Sequence, residues 1–151
     1  MKTLKQKLEQ TKRNLYINNE VFETSPKQTK GKVEFFTIGK YISDDELQKE
    51  YENRGLIPAS IYDLIDNDKI CDEKKYVGTH WKDENGKWCF ATFFFWSGNV
   101  ERSVYVDRND GDWLDRWWFA GVRKSSKLKN SGLIETLPFE LIINGIKYRR
   151  D

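Results

Sequence analysis

Apolar positions in the middle of the chain follow the short period of β-strands rather than the longer period of helices. Residues 76–81, YVGTHW, are followed by Asn85-Gly86, the dipeptide that most strongly indicates a tight hairpin. Residues 88–96, WCFATFFFW, are apolar on both faces, which is the pattern of a central strand. The pattern therefore predicts a β-hairpin whose second strand lies inside the sheet.

Apolar and polar residues alternate over 100–107, as they do in a half-buried strand. Arg102 interrupts the apolar side, which suggests a position at the edge of the sheet. A polar loop at 108–116 then leads to a further strand, WWFAGVRK, at 117–124. The apolar side of the alternating strand carries Val100, Val104 and Val106. Its outward side carries Glu101, Ser103, Tyr105 and Asp107.

The first 38 residues predict a helix, an exposed connection and a strand. Residues 3–15 are amphipathic, and Thr3 and Gln6 fit the two positions of a capping box. The polar residues 18–32 indicate a solvent-exposed connection. VEFFTI at 33–38 predicts a strand.

Two further helices are predicted after that strand. Ser43 and Glu46 form a second capping box, and Gly55 suits the left-handed residue that follows a helix. Ser60 opens the next helix just after a proline. The intervening residues 54–58 are therefore expected to form a tight corner between two helices.

The chain is expected to divide into three parts. Residues 1–32 hold the N-terminal helix and linker, 33–124 form the main domain, and 125–151 form a C-terminal loop and small hairpin packed on that domain. Asn144-Gly145 marks the turn of this terminal hairpin.

Charge and composition narrow the classes of function. The 151 residues are 38% hydrophobic and 15% aromatic, which is enough for a packed core. Lys and Arg number 26 against 24 Asp and Glu, and this balance counts against a nucleic-acid partner. No apolar run approaches the roughly 20 residues that span a bilayer. The start of the chain lacks the apolar stretch of a secretory signal, so we expect a cytoplasmic or virion-associated protein.

The sequence offers few groups for catalysis or metal binding. Cys71 and Cys89 are the only cysteines and His80 is the only histidine, too few for the usual zinc site. We expect two buried free thiols, although a disulfide stays open. His80 lies in an apolar strand and is expected to be structural, and no nucleophile-elbow pattern accompanies it. These residues favour binding over catalysis, with neither a cofactor nor a metal.

All six tryptophans lie between positions 81 and 118, and they fall into two groups. Two sit in the polar loop or directly after it, where Trp beside Arg and Tyr is typical of a protein-binding hot spot. These are Trp113 and Trp117. The other four are expected to fill the core: Trp81, Trp88, Trp96 and Trp118.

Three short strings carry a resemblance to a known fold. They are RGLIPAS at 54–60, GDW at 111–113 and FAGVRK at 119–124. In this order, with the elements between them, they resemble the calcium-free C-type lectin fold of formylglycine-generating-enzyme-like domains and of the variable proteins of diversity-generating retroelements. The closest resemblance is to the small variable proteins of uncultivated archaea and bacteria, and it covers about 33–124. It implies an α+β fold, with two helices packed on short, mostly antiparallel, twisted strands.

The chain departs from two branches of that fold. It lacks paired cysteines near the C-terminus, which the formylglycine-generating enzymes use, and it lacks the calcium motifs of sugar-binding lectins. The resemblance therefore implies a metal-free ligand-binding protein, not an enzyme, whose surface is rewritten by a retroelement and recognises a protein. The oligomeric state stays undetermined.

Candidate ligand-binding positions follow from mapping this resemblance and the two loop tryptophans onto the chain. They are Ser97, Asn99, Glu101, Arg102, Ser103, Tyr105, Asp107, Arg108, Asn109, Asp112, Trp113, Leu114, Asp115, Arg116 and Trp117.

The sequence alone leaves four alternative interpretations open. The chain could be a formylglycine-generating-type enzyme or a hydrolase that uses His80. It could bind single-stranded nucleic acid through stacked aromatic rings. It could be a viral or host interaction module without diversification. Finally, the candidate positions could be ordinary solvated residues on one face of a sheet.

Overall fold

The computed structural model describes residues 2–96, 98 and 100–123, so the predicted C-terminal hairpin lies outside the described residues. Within them, seven strands form one sheet and five helices accompany it, which confirms a broadly α+β architecture. None of the described helices is long and apolar enough to cross a bilayer. The helices are α1 (Leu4–Gln10), α2 (Asn19–Phe22), α3 (Asp44–Asn53), α4 (Ile61–Asp66) and α5 (Asp68–Lys74). The strands are β1 (Asn14–Ile17), β2 (Val33–Thr37), β3 (Leu56–Pro58), β4 (Tyr76–Lys82), β5 (Trp88–Trp96), β6 (Glu101–Arg108) and β7 (Trp118–Arg123).

The strands follow the order β1-β6-β5-β4-β7-β2, and β3 also pairs with β7. The pairs β1–β6 and β4–β7 are parallel, and the others are antiparallel. The predicted hairpin is confirmed: Gly86 adopts a φ of 76° in the turn between β4 and β5. The central position predicted for β5 is confirmed as well, since β4 and β6 flank it.

The first face of the sheet is covered by α1, α2, α4 and α5. Leu8 of α1, Val21 of α2 and Leu64 of α4 are buried against it. The sheet supplies alternate residues of β4 to β7, including the predicted inward valines Val104 and Val106. Burying each such aliphatic side chain stabilises the fold by roughly 1.5–3 kcal/mol.

The second face holds a smaller core under α3 and the segment 109–117. Leu47 and Tyr51 of α3 pack there with Phe119 of β7, and the Tyr51 hydroxyl donates to the Ala120 carbonyl oxygen at 2.8 Å. Four helices therefore cover the first face of the sheet, and the second face is covered only in part.

The predicted helix starts are confirmed by their hydrogen bonds. Capping boxes close α1 at Thr3 and α3 at Ser43, with both reciprocal bonds present in each. Ser60 caps α4 in the same way through Asp63. Gly55, with a φ of 72°, follows α3 as expected.

Local pattern gave the wrong structure at three places. The N-terminal helix ends at Gln10 rather than at residue 15, because Asn14–Ile17 pairs with β6 as a parallel strand. The polar connection contains α2, whose Val21 is buried. The expected corner at 54–58 contains β3, which pairs with β7. Strand pairing fixes β1 and β3, and burial of Val21 fixes α2; both depend on distant parts of the chain, which a local pattern does not reveal.

Arg102 does not mark a sheet edge, because β1 lies beyond β6. Its guanidinium instead joins Arg13, Asp68 and Asp72 in an ion-pair ring on the first face. Arg102 donates to Asp68 at 2.6 Å and to Asp72 at 2.9 Å, and Arg13 donates to the same carboxylates at 2.7 and 2.5 Å. The ring joins β6 to α5 and to the turn after α1.

Two apolar side chains expected inside lie outside. Val100 is 74% exposed in the turn before β6, where its φ of 56° takes it out of the valine row. Trp96, at the end of β5, is 51% exposed and does not fill the core. Trp81 is buried and Trp118 packs at the margin of the larger core, as expected.

Candidate functional site

An open pocket of about 430 Å³ lies on the second face of the sheet, beside the segment 109–117. Its size is in the range of pockets that bind small ligands or single protein side chains. Strands β4, β5 and β6 and the segment 109–117 all contribute to its lining. The lining residues are Tyr76, Phe90, Thr92, Phe94, Tyr105, Asn109, Asp112, Trp113, Leu114, Arg116 and Trp117. We call this the aromatic pocket.

The floor of the aromatic pocket is set by strand alternation. Phe90, Thr92 and Phe94 occupy alternate positions of β5 and so share one face. Tyr76 pairs with Phe94 across the strands, and their rings stack with centroids 5.1 Å apart. Tyr105 of β6 lies opposite Thr92 and is 40% exposed.

Trp113 forms the inner wall of the aromatic pocket. It is only 5% exposed and meets Trp117, Phe119 and Phe90 edge to face, at centroid distances of 5.6, 5.2 and 6.1 Å. The indole lies directly on the backbone of Gly78, where a Cβ atom would stand 2.6 Å from the ring. Trp113 is therefore part of the smaller core as well as of the pocket.

A single buried carboxylate holds this wall in place. Asp44 Oδ1 accepts a hydrogen bond from the Trp113 indole N–H at 2.8 Å and lies 2.8 Å from His80 Nδ1. Its Oδ2 accepts from the Asn109 side-chain amide at 2.7 Å. Asp44 is in the first turn of α3, where the helix dipole favours a negative charge. The three side-chain partners and the helix dipole thus offset the energetic cost of burying the Asp44 carboxylate.

His80 is fully buried, and both of its ring nitrogens have neighbours. Nδ1 faces Asp44, and Nε2 lies 3.1 Å from Gln48 Oε1. The imidazole stacks on Trp88 at 4.1 Å, beside a second hollow that the two residues border. Burial lowers the pKa of His80, and the Asp44 carboxylate opposes that shift. No ring nitrogen is left to bind a substrate.

The two cysteines are free and buried, so the disulfide left open by the sequence is not formed. Burial raises the pKa of the Cys71 thiol to about 12 and raises the pKa of Cys89 as well. Such thiols are poor nucleophiles at neutral pH. In the part of the chain that the structure describes, no three His, Cys, Asp or Glu side chains are grouped to hold a metal ion.

The rim of the aromatic pocket carries charges of both signs. Asp112 and Arg116 line it, and the Arg116 guanidinium lies 5.4 Å from the centroid of the Tyr76 ring. Arg108 is ion-paired with Asp83, away from the pocket lining. Asp107 lies directly opposite Phe90 on the neighbouring strand and is exposed.

The structure brings seven of the fifteen candidate positions together in the pocket lining. They are Tyr105, Asn109, Asp112, Trp113, Leu114, Arg116 and Trp117. Asp115 is exposed in the same segment. Ser97 and Asn99 lie outside the described residues.

Three other candidate residues do not line the pocket and contact other parts of the fold. Ser103, expected to face outward, is buried, and its hydroxyl is 3.5 Å from the Phe94 carbonyl oxygen. Arg102 is on the opposite face, in the ion-pair ring. Glu101 accepts hydrogen bonds from Tyr16 and Asn14 of β1, at 3.0 and 3.2 Å.

Sequence reasoning missed the floor of the pocket. The sequence predicts Tyr76, Phe90, Thr92 and Phe94 only as strand residues, because β5 is apolar on both faces. The apolar residues on both faces of β5 could have indicated the pocket. Helices cover one apolar face of this strand, so its other apolar face needs a second layer or a ligand. Tyr16 was also missed, although its ring stacks on Tyr105 at 4.7 Å and extends the aromatic surface.

Comparison of the chain with protein-family models, with curated proteins and with solved structures gave no match in any of the three.

Proposed function

We propose that this chain is a ligand-binding protein with a diversified surface on a C-type lectin-like scaffold, and that it recognises a protein. The observation that carries the proposal is the aromatic pocket itself. Seven positions selected from the sequence for binding meet around one open, aromatic concavity. Aromatic side chains with Arg and Asp at the margin are the composition of protein-binding hot spots.

The order of elements supports the scaffold assignment. Between β2 and β4 lie the capped helix α3 and the helix α4, in the order that the resemblance implies, although β3 and α5 lie there as well. The strand that contains FAGVR, β7, pairs antiparallel with β2. Two parallel strand pairs and the additional α1, α2 and α5 go beyond what the resemblance implies.

Binding is favoured over catalysis by the surroundings of the reactive groups. His80 lies under Trp88 with both nitrogens occupied, and the thiols of Cys71 and Cys89 are buried with raised pKa values. The aromatic pocket contains Asp112 as its one carboxylate and no histidine or cysteine among its lining residues. Paired groups for acid and base chemistry are therefore lacking there.

The separation between fixed and exposed residues supports diversification. Tyr105, Asp112, Leu114 and Arg116 line the pocket and are exposed, whereas Trp113 is buried in the core behind them. A substitution at an exposed position usually changes the free energy of unfolding by no more than about 0.5 kcal/mol. Residues at the rim can therefore vary while the residues of the pocket wall keep their packing.

A genomic test addresses diversification directly. We expect a reverse transcriptase gene near the coding sequence, together with a near-copy of the segment that encodes about residues 96–123. Mismatches between the two copies should be confined to template adenines and should fall on codons of the exposed rim. If no such repeat is present, or if its mismatches fall evenly on buried codons such as that of Phe119, the diversification proposal fails.

A further inference from the structure

The charges and rings of the aromatic pocket indicate what kind of ligand it takes. Resting on the proposed function, we propose that the pocket binds a basic side chain, arginine or lysine, presented by the protein partner.

An arginine or lysine side chain has an apolar methylene stem and a cationic end, and the walls of the pocket suit both parts. The rings of Tyr76, Phe94, Trp117 and Tyr105 offer apolar surface for the methylene stem. The faces of the same rings attract a cation, because the aromatic quadrupole is negative there. The protein already uses this attraction, since the Arg116 guanidinium lies 5.4 Å from the centroid of Tyr76. A second cation therefore fits the rings left free by Arg116.

The position of the charges favours a cation at the end of the pocket away from Arg116. Arg116 lies over Tyr76, which pairs with Phe94 near the end of β5. At the other end of the floor, Phe90 faces the exposed Asp107 across the strands. Asp112 lines the pocket next to the wall residue Trp113.

Further carboxylates lie around the pocket. Asp110 and Asp115 are exposed in the segment that forms the wall, and Glu101 lies on the same face as Tyr105, at the end of β6 that pairs with Trp96. Arg108 is neutralised by its ion pair with Asp83. An acidic ligand could pair only with Arg116 among the described lining residues and would be repelled by the carboxylates around the pocket, whereas a basic one gains an ion pair and ring contacts.

Selection of displayed random linear peptides on the full chain tests this inference. Peptides are kept if they bind the native protein and lose binding to the variant Tyr105→Ala/Leu114→Ala, which removes two exposed lining side chains. Tyr41→Ala, at an exposed tyrosine outside the lining, is the matched control and should retain binding. Circular dichroism and thermal unfolding verify that all three proteins are folded.

We expect the pocket-dependent peptides to be enriched in Arg or Lys at one position. Replacing that arginine by the uncharged isostere citrulline should weaken binding about tenfold, a factor between those of a solvent-exposed and a fully desolvated cation–ring contact. Asp112→Asn and an ionic strength of about 1 M should each weaken binding of the arginine peptide more than that of the citrulline peptide.

The other outcomes separate the two proposals. Pocket-dependent peptides without a basic residue, or equal binding of the arginine and citrulline forms, overturn the basic-side-chain inference and leave the proposed function standing. If no selected peptide depends on the pocket, the proposed binding site fails, and the inference fails with it.

Discussion

At the scale of single residues, the pocket depends on one buried carboxylate. Asp44 connects His80 of β4 with Asn109 and Trp113, two residues of the segment 109–117. A buried carboxylate is stable only with such partners, and its removal leaves several donors without an acceptor. The geometry of the pocket wall and the stability of the smaller core are therefore coupled at this residue.

Asp44→Asn is expected to lower the free energy of unfolding by about 2–4 kcal/mol, because an amide cannot accept from all three donors. Urea denaturation followed by fluorescence measures the loss, and the Trp113 indole N–H resonance should shift. The neighbouring Asp45→Asn is the control, since Asp45 accepts only from Trp88 in an exposed position and should cost less than about 1 kcal/mol. Equal effects of the two substitutions would contradict the role given to Asp44.

The single histidine gives the stability a defined pH dependence. Burial lowers the pKa of His80 in the folded protein below its usual value of 6.5, although Asp44, Asp45 and Lys82 also act on it. The unfolded chain then binds the proton more readily, so the free energy of unfolding should fall as the pH drops from about 7 to about 5.

His80→Gln should remove that slope, measured by urea denaturation across the same pH range. The ring resonances of His80 in the native protein should also titrate with a midpoint below the usual value of 6.5. Carboxylates with lowered pKa values, such as Glu34 and Asp83, lose their contribution only at more acidic pH. A slope that persists in the variant would contradict this assignment.

At the scale of elements, sequence reasoning succeeded where structure is local. The capped starts of α1, α3 and α4, the turn at Gly86 and the alternation of Val104 with Val106 all depend on neighbours a few residues away. It failed for β1 and β3, because both owe their structure to strands that are distant in the sequence. The pocket shows the same division: its loop side was predicted, and its floor on β5 was not.

Arg102 and Arg116 show why a candidate surface needs the fold. Both were candidates by sequence, but Arg102 belongs to the ion-pair ring and Arg116 lies at the pocket rim. Arg102→Ala should destabilise the protein by about 1–3 kcal/mol, because it leaves the two carboxylates Asp68 and Asp72 with the buried Arg13 as the one remaining arginine of the ring. Arg116→Ala should change stability by about 0.5 kcal/mol. Thermal and urea unfolding of the two variants provide the comparison, and similar losses would place Arg102 outside the scaffold.

At the scale of the whole molecule, the two faces of the sheet have different tasks. The first face is packed under four helices and fixed by the ion-pair ring. The second face is closed by α3 and Trp113 over only part of its area, and the remainder forms the aromatic pocket. Because the pocket wall belongs to the core, we expect that exposed side chains at the rim can be replaced without a change in the backbone that presents them.

The central claim is that this rim can be rewritten while the scaffold stays folded. The most direct measurement is the protease resistance of a displayed library in which five exposed positions, Tyr105, Asp112, Leu114, Asp115 and Arg116, are varied together. The structure predicts that most members stay within about 2.5 kcal/mol of the native stability, the sum of five small surface effects. A library in which most members are unfolded would contradict the claim.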